Sequence, residues 1–345
     1  MNTLIIVGAG GSCELDMPTG YSLIQRIIQA IDKNADYVFG NGQGQFLDPV
    51  NQFLYLRSMP TATREDEERN KQFFERSLVP FKEALQSWVL TGRSLDAFLN
   101  SENVNEEGKQ FGKFAIAYYI LGQEEWLMRE NLYSFRDNWI MSFLERHLRP
   151  IKDDLRAGKC PARILTFNYD RNIEHFLYTF LRQTEPPIPG WEKSVGFDEA
   201  KSIIDRWGIV HVYKALAPLE WQTHNGQFIR FGERNNDKSS LTLASGAIQL
   251  IGENGAGRVP GEKITHIRQM VREAERIYFL GVGFDLDNMK LLFGDDVVNP
   301  GFRPSADCHA TAICLDITIR QKFPFITYHP ITCAQLMQNQ HIFFL

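Results

Sequence analysis

The chain lacks most of the features that mark specialised proteins, and each absence excludes something. Its five cysteines (Cys13, Cys160, Cys308, Cys314, Cys333) form no CxxC pair, and an odd, widely spaced set suits a reducing cytoplasm rather than a disulfide framework. Cys308, His309, Cys314 and His329 match the spacing of no common zinc module and lie in strand-like apolar sequence, so no metal is expected. No apolar run approaches the ~20 residues of a membrane span. No basic segment precedes the first strand-like run, as a signal peptide would require. An excess of positive charge is also missing: the net charge is −5, which argues against broad nucleic-acid or membrane binding. There is no internal repeat and no low-complexity tract.

What is present is ordinary bulk with a distinctive start. The 345 residues suit about two domains or one large α/β domain with an insertion. Twenty-five Phe and six Trp can supply a substantial core. Thr3-Leu-Ile-Ile-Val7 is a short apolar run that stops at Gly8-Ala-Gly-Gly-Ser12, and a helical pattern begins near Tyr21. Strand, glycine turn and helix are the arrangement that brings backbone N–H groups against a phosphate. The dehydrogenase fingerprint fails here: Gly8 and Gly10 fill its first two positions, but the third glycine falls at Cys13. The turn is therefore read as a nucleotide loop of another kind.

Residues 36–70 read as irregular, with a solvated charge run at Thr63–Arg69. Helical stripes follow at Phe73, Phe74, Leu78, Phe81, Leu85 and Trp88, and at Leu132, Phe135, Trp139, Ile140, Phe143 and Leu144. Ser94 is placed to cap a helix, and residues 37–150 read as a mostly helical insertion. A strand then ends at Thr166-Phe-Asn168-Tyr-Asp170, where Asp170 suits the cap of a helix running from about Arg171 to Leu181. In open α/β sheets such strand ends carry the ligand. Gly208–Leu216 alternates as a strand with His211 and Tyr213 on one face. Residues 218–260 read as loops with short elements, and Gly252–Arg258 lacks the Lys-Ser/Thr ending of a P-loop. Helix 261–274 leads to a second strand–glycine–helix junction, Gly281-Val-Gly283-Phe-Asp285-Leu-Asp287-Asn288, and His309–Asp316 reads as a further strand.

Three segments in order, Gly8–Ser12 with Pro18, Thr166–Asp170 and Gly281–Asn288, resemble the motifs of the sirtuins. Pro18-Thr-Gly-Tyr21 and Ser94-Leu-Asp96-Ala-Phe98-Leu99 are more similar to the bacterial sirtuin-like NAD-hydrolases of antiphage defence than to the protein deacylases, whose four-cysteine zinc module and acidic-Phe-Arg run are missing. The resemblance implies one NAD-binding domain over residues 1–345 with 37–150 inserted, built on a Rossmann-like parallel sheet. It implies NAD+ as substrate, cleaved to nicotinamide and ADP-ribose. Gly8, Ala9, Gly10 and Ser12 would meet the pyrophosphate, Gly281, Gly283, Asp287 and Asn288 the adenosine half, and Asp170 and Tyr213 would line the cleft. Asn168 and His211 would be catalytic, with His211 neutral and accepting a proton. The family histidine precedes a glycine, so either His211 or, with Lys214 at the glycine position, Tyr213 occupies its place. A toxic NAD-hydrolase also implies control, by homo-oligomerisation or by an operon-encoded partner such as an ATPase or nucleotide-sensing protein. The alternatives are a deacylase or ADP-ribosyltransferase, and a non-catalytic NAD or ADP-ribose sensor.

Overall fold

The computed structural model describes residues 2–38, 48–57, 64–91, 93–129, 137–182, 196–223, 226–233, 238–250, 261–313 and 315–343. Gly252–Arg258, Leu132, Phe135 and Cys314 lie outside them. The chain forms two compact units, one of Met1–Met17, Leu127–Phe231 and Val259–Leu345, the other of Pro18–Trp126 and Gly232–Arg258.

The first unit holds a six-stranded sheet: β1 (Thr3–Val7), β2 (Ala162–Thr166), β3 (Val210–His211), β4 (Arg276–Leu280), β5 (Asp307–Thr311) and β6 (Ile326–His329). The order is β3-β2-β1-β4-β5-β6 and every pairing is parallel, the Rossmann-like α/β architecture expected from the sequence. All five residues of β1 are buried, as a central parallel strand covered on both faces requires. The chain builds outward from β1 through β2 to β3, then returns to the other side of β1 with β4. That reversal puts the topological switch point between β1 and β4, where ligands of open α/β sheets bind. The register levels the strand ends: Val7 lies opposite both Thr166 and Leu280, and Thr166 opposite His211. Gly8, Phe167, Gly281 and Val212 therefore all leave the sheet along one edge.

Local sequence explains the elements around this edge. Helix Asn172–Arg182 buries Ile173, Phe176, Leu177, Phe180 and Leu181, a stripe at helical spacing. Helix Phe197–Trp207 ends at Gly208, whose φ of +68° is the left-handed C-terminal conformation that glycine favours. Helix Trp139–Phe143 starts at Asn138, whose side chain accepts from Met141 N–H. Glu14 joins two helix starts: one carboxylate oxygen accepts from Trp139 N–H at 2.8 Å and the other from Ala334 N–H, in helix Cys333–Gln338, at 3.0 Å.

The second unit is helical, with Gly20–Val38, Pro49–Arg57, Arg64–Phe73, Val79–Val89, Leu95–Leu99, Glu106–Arg129 and Lys238–Ala247. The stretches 36–70 and 218–260 thus hold more helix than their polar composition suggests. Its core is aromatic: Phe53 packs within 5.8 Å, ring to ring, of Phe73, Phe111 and Phe114, and Phe81 does the same with Phe98 and Phe111. Pro80 has no N–H to return to Arg76, and the helix accommodates it with a widened turn in which Val79 N–H reaches Phe74 O. Ser94 caps its helix, accepting from Ala97 N–H at 3.2 Å. Among the described residues no helix is long and apolar enough to cross a membrane.

Candidate functional site

At the switch point the two glycine turns pack on each other. Gly8 N–H donates to Leu280 O and Gly10 N–H to Gly281 O, each at 2.9 Å. A Cβ on Gly8 or Gly10 would sit 2.7–2.8 Å from Gly281 O, and one on Gly281, at φ +58°, would sit 1.9 Å from Gly11 N. These three glycines are required by the close approach of backbone to backbone. Gly283 differs: it is exposed, and a Cβ there would meet nothing within 4 Å. Between them and the next helix, Phe284 takes φ +55° although buried, an uncommon conformation for a bulky residue that its packing against Phe279 and Tyr328 holds in place. The turn also spends its donors internally, since Gly11 N–H bonds Gly8 O. Ala9, half-buried, has no backbone acceptor for its N–H among the described residues.

The β2 end joins this turn through side chains. Asn168 Nδ2 donates to Gly8 O at 3.1 Å and to Ser12 Oγ at 2.8 Å, and Ser12 Oγ donates to Asp170 Oδ2 at 2.8 Å. A carbonyl only accepts, so the amide orientation of Asn168 is fixed with nitrogen toward Gly8. Both its hydrogens are then committed, and Oδ1 is the acceptor left without a protein partner among the described residues. Asp170 Oδ1 accepts from Asn172 N–H at 3.3 Å, so the expected helix-start role is real. Burial pushes the Asp170 carboxyl up to about 6, against the Ser12 and Asn172 hydrogen bonds that favour its charge.

At the β3 end, His211 Nδ1 lies 2.9 Å from Asn168 O and Nε2 lies 2.5 Å from Glu174 Oε1. Both side chains are buried, at 10% and 6% exposure. Burial alone disfavours charge on either group, but each holds the other ionised: Glu174 raises the His211 ring above its ordinary value, and His211 holds Glu174 below the usual carboxylate range. The ring therefore has no lone pair to offer a substrate in this conformation. Only Val210 and His211 form the strand, after which Lys214 turns left-handed at φ +70°. A left-handed residue marks a position that favours glycine, and here a lysine fills it. Tyr213 is buried, packs on Phe167 with ring centroids 5.9 Å apart, and donates from its hydroxyl to Asn288 Oδ1.

Gly8, Gly10, Ser12, Asn168, Asp170, His211 and Gly281 thus meet in one bonded group, and Tyr213 meets Asn288. Asp287 is exposed in the first turn of helix Leu286–Phe293, whose cap is Asp285, accepting from Asp287 N–H at 2.9 Å. The residue that sequence reasoning passed over is Glu174. Its signal was available: an acid one position after Ile173 and three before Leu177 borders the apolar stripe of its helix. Among the described residues no group of three or more His, Cys, Asp or Glu is placed to hold a metal ion. His309 Nδ1 and His329 Nε2 instead bond each other at 3.0 Å. Comparison with protein-family models gives no match for this chain, and comparison with curated proteins gives none either.

Proposed function

We propose that the chain is an NAD+ glycohydrolase that releases nicotinamide and ADP-ribose, acting as a triggered antiphage effector under the control of self-association or a partner protein. The observation that carries this reading is Asn168: a buried amide at the carboxyl end of β2, one strand from the switch point, with both hydrogens committed and Oδ1 held as an acceptor. Cleaving the N-glycosidic bond of NAD+ forms an oxocarbenium-like ribosyl centre and expels neutral nicotinamide, so no strong acid is needed at the leaving group. What the reaction needs is a water or ribose hydroxyl held in line, and a fixed carbonyl acceptor does that. Gly283, exposed and uncrowded, and Ala9, with its N–H unspent, supply the edge on which a dinucleotide would lie.

The test is a time course of NAD+ with purified protein, alone and with the products of neighbouring genes, reading nicotinamide and ADP-ribose. Turnover by the unmodified chain and a loss of about 10²–10⁴-fold in Asn168→Ala, with NAD+ binding retained, is the expected result. Full activity in Asn168→Ala would falsify the role given to it. A second reading has its own support: because His211 offers no lone pair, the same cleft suits a non-catalytic NAD+ or ADP-ribose sensor. Tight binding with no turnover, even beside the native partner, would select that reading instead.

A further inference from the structure

We infer that Glu174 and His211 form a charged positioning pair that fixes the Asn168 peptide, with Glu174 a residue of the site in its own right and His211 a double donor, not a proton acceptor. Its consequence for turnover rests on the NAD+-cleaving reading given above; its content rests on hydrogen-bond geometry. The Asn168 carbonyl can only accept, so ring Nδ1 carries a proton. A bare ring nitrogen would repel a carboxylate oxygen at 2.5 Å, so a proton lies between Nε2 and Glu174, and the ion pair places it on Nε2. Both ring nitrogens are then occupied, and a base at this position would need one of them open.

The surroundings keep the pair charged. Asp170 faces the His211 ring as a second acid, and Arg171 faces Glu174. Arg171 is itself fully buried and donates to Ala217 O and Ile229 O. His175, the next residue after Glu174, is stacked on Phe231 at 3.8 Å, and burial drives it down to about 3, so it adds no charge near neutrality. A continuous chain results: Glu174 to His211, His211 to the Asn168 peptide, Asn168 to Gly8 and Ser12, and Ser12 to Asp170. Asn168 is held at its backbone from one side and at its amide from the other, which fixes where Oδ1 points. A supporting shell of this kind decides whether a polar group is held tightly enough to act.

Two measurements decide it. In the unmodified chain, nitrogen-resolved NMR of the His211 ring, assigned through bonds from its backbone, is expected to show protons on both ring nitrogens at about pH 8, where an unperturbed imidazole is neutral. A neutral ring with Nε2 bare at that pH overturns the pair. The second is the double variant Glu174→Gln/His211→Asn, in which the Asn amide replaces the Nδ1–H donor and no buried charge is left unmatched. An amide cannot take a proton, and a lost general base costs about 10²–10⁴-fold, so nicotinamide release within about tenfold of the unmodified chain supports positioning. In a variant that circular dichroism shows to be folded, a loss as deep as that of Asn168→Ala overturns it. If the double variant does not fold, the ring signal of the unmodified chain decides alone. If the unmodified chain releases no nicotinamide, the functional reading fails while the ring signal still decides the pair.

Discussion

Asp170 and Glu174 are buried within one turn of each other, yet their carboxyls are driven in opposite directions. Asp170 has only neutral hydrogen-bond partners, and burial wins; Glu174 faces an imidazolium, and the charge wins. Each direction has a consequence for stability. A raised carboxyl contributes stability that is full below the ordinary carboxylate range and is lost as pH rises through about 6. At pH near 8 the folded chain therefore holds Asp170 ionised against its preference. Asp170→Asn is expected to raise the melting temperature there, at about 2–4 °C per kcal/mol for a domain of this size, and the gain should vanish in acid. Melting curves of the two proteins at both pH values check this, and equal gains at both would exclude it. For the pair the signs differ. The raised His211 contributes below the ordinary histidine range and loses its contribution as pH rises through its shifted value; the lowered Glu174 contributes above the ordinary carboxylate range and loses it on acidification. The pair is thus worth most in mildly acidic solution. Glu174→Ala strands a buried imidazolium and should cost about 3–5 kcal/mol in urea unfolding near pH 6, with Glu174→Gln milder.

At the scale of elements, the two glycine turns divide into positions that serve the fold and one that is open to a ligand. Gly281→Ala forces a Cβ to 1.9 Å from Gly11 N at a positive φ, so the turns after β1 and β4 must part, and loss of soluble folded protein is expected. Gly283→Ala meets nothing within 4 Å, so the melting temperature should hold while binding of ADP-ribose, measured by calorimetry, weakens. Unchanged binding would remove Gly283 from the site. The same contrast explains what sequence could and could not show. Glycines after apolar runs marked the ends of β1 and β4, and Asn168-Tyr-Asp170 marked that of β2, because a buried parallel strand must stop where polar residues begin. The alternation from Gly208 to Leu216 promised a longer β3 than Val210–His211, because nothing in a lysine announces a left-handed Lys214. That Gly8 and Gly10 receive Gly281 needs two turns about 270 residues apart to be seen together. The Glu174–His211 pair was hidden for the same reason: each residue alone reads as a helix-border acid or a strand histidine.

At the scale of the whole molecule, the question is whether the fold needs a metal, since a structural zinc would belong with a deacylase. Cys308 and Cys333 are buried, and burial pushes both up to about 12, so they stay protonated near neutrality. A buried protonated thiol behaves as a small apolar side chain. Cys13, exposed on the turn after β1, and Cys160, just before β2, lie far apart in the sequence. The order of the first unit draws on the levelled parallel strands and on the Glu14 carboxylate that joins two helix starts. Chelation by millimolar EDTA is therefore expected to leave the melting temperature and nicotinamide release unchanged, whereas Glu14→Ala, which frees two buried N–H donors, should lower the melting temperature. A fall on chelation that zinc restores would show a metal site and return the deacylase reading to first place.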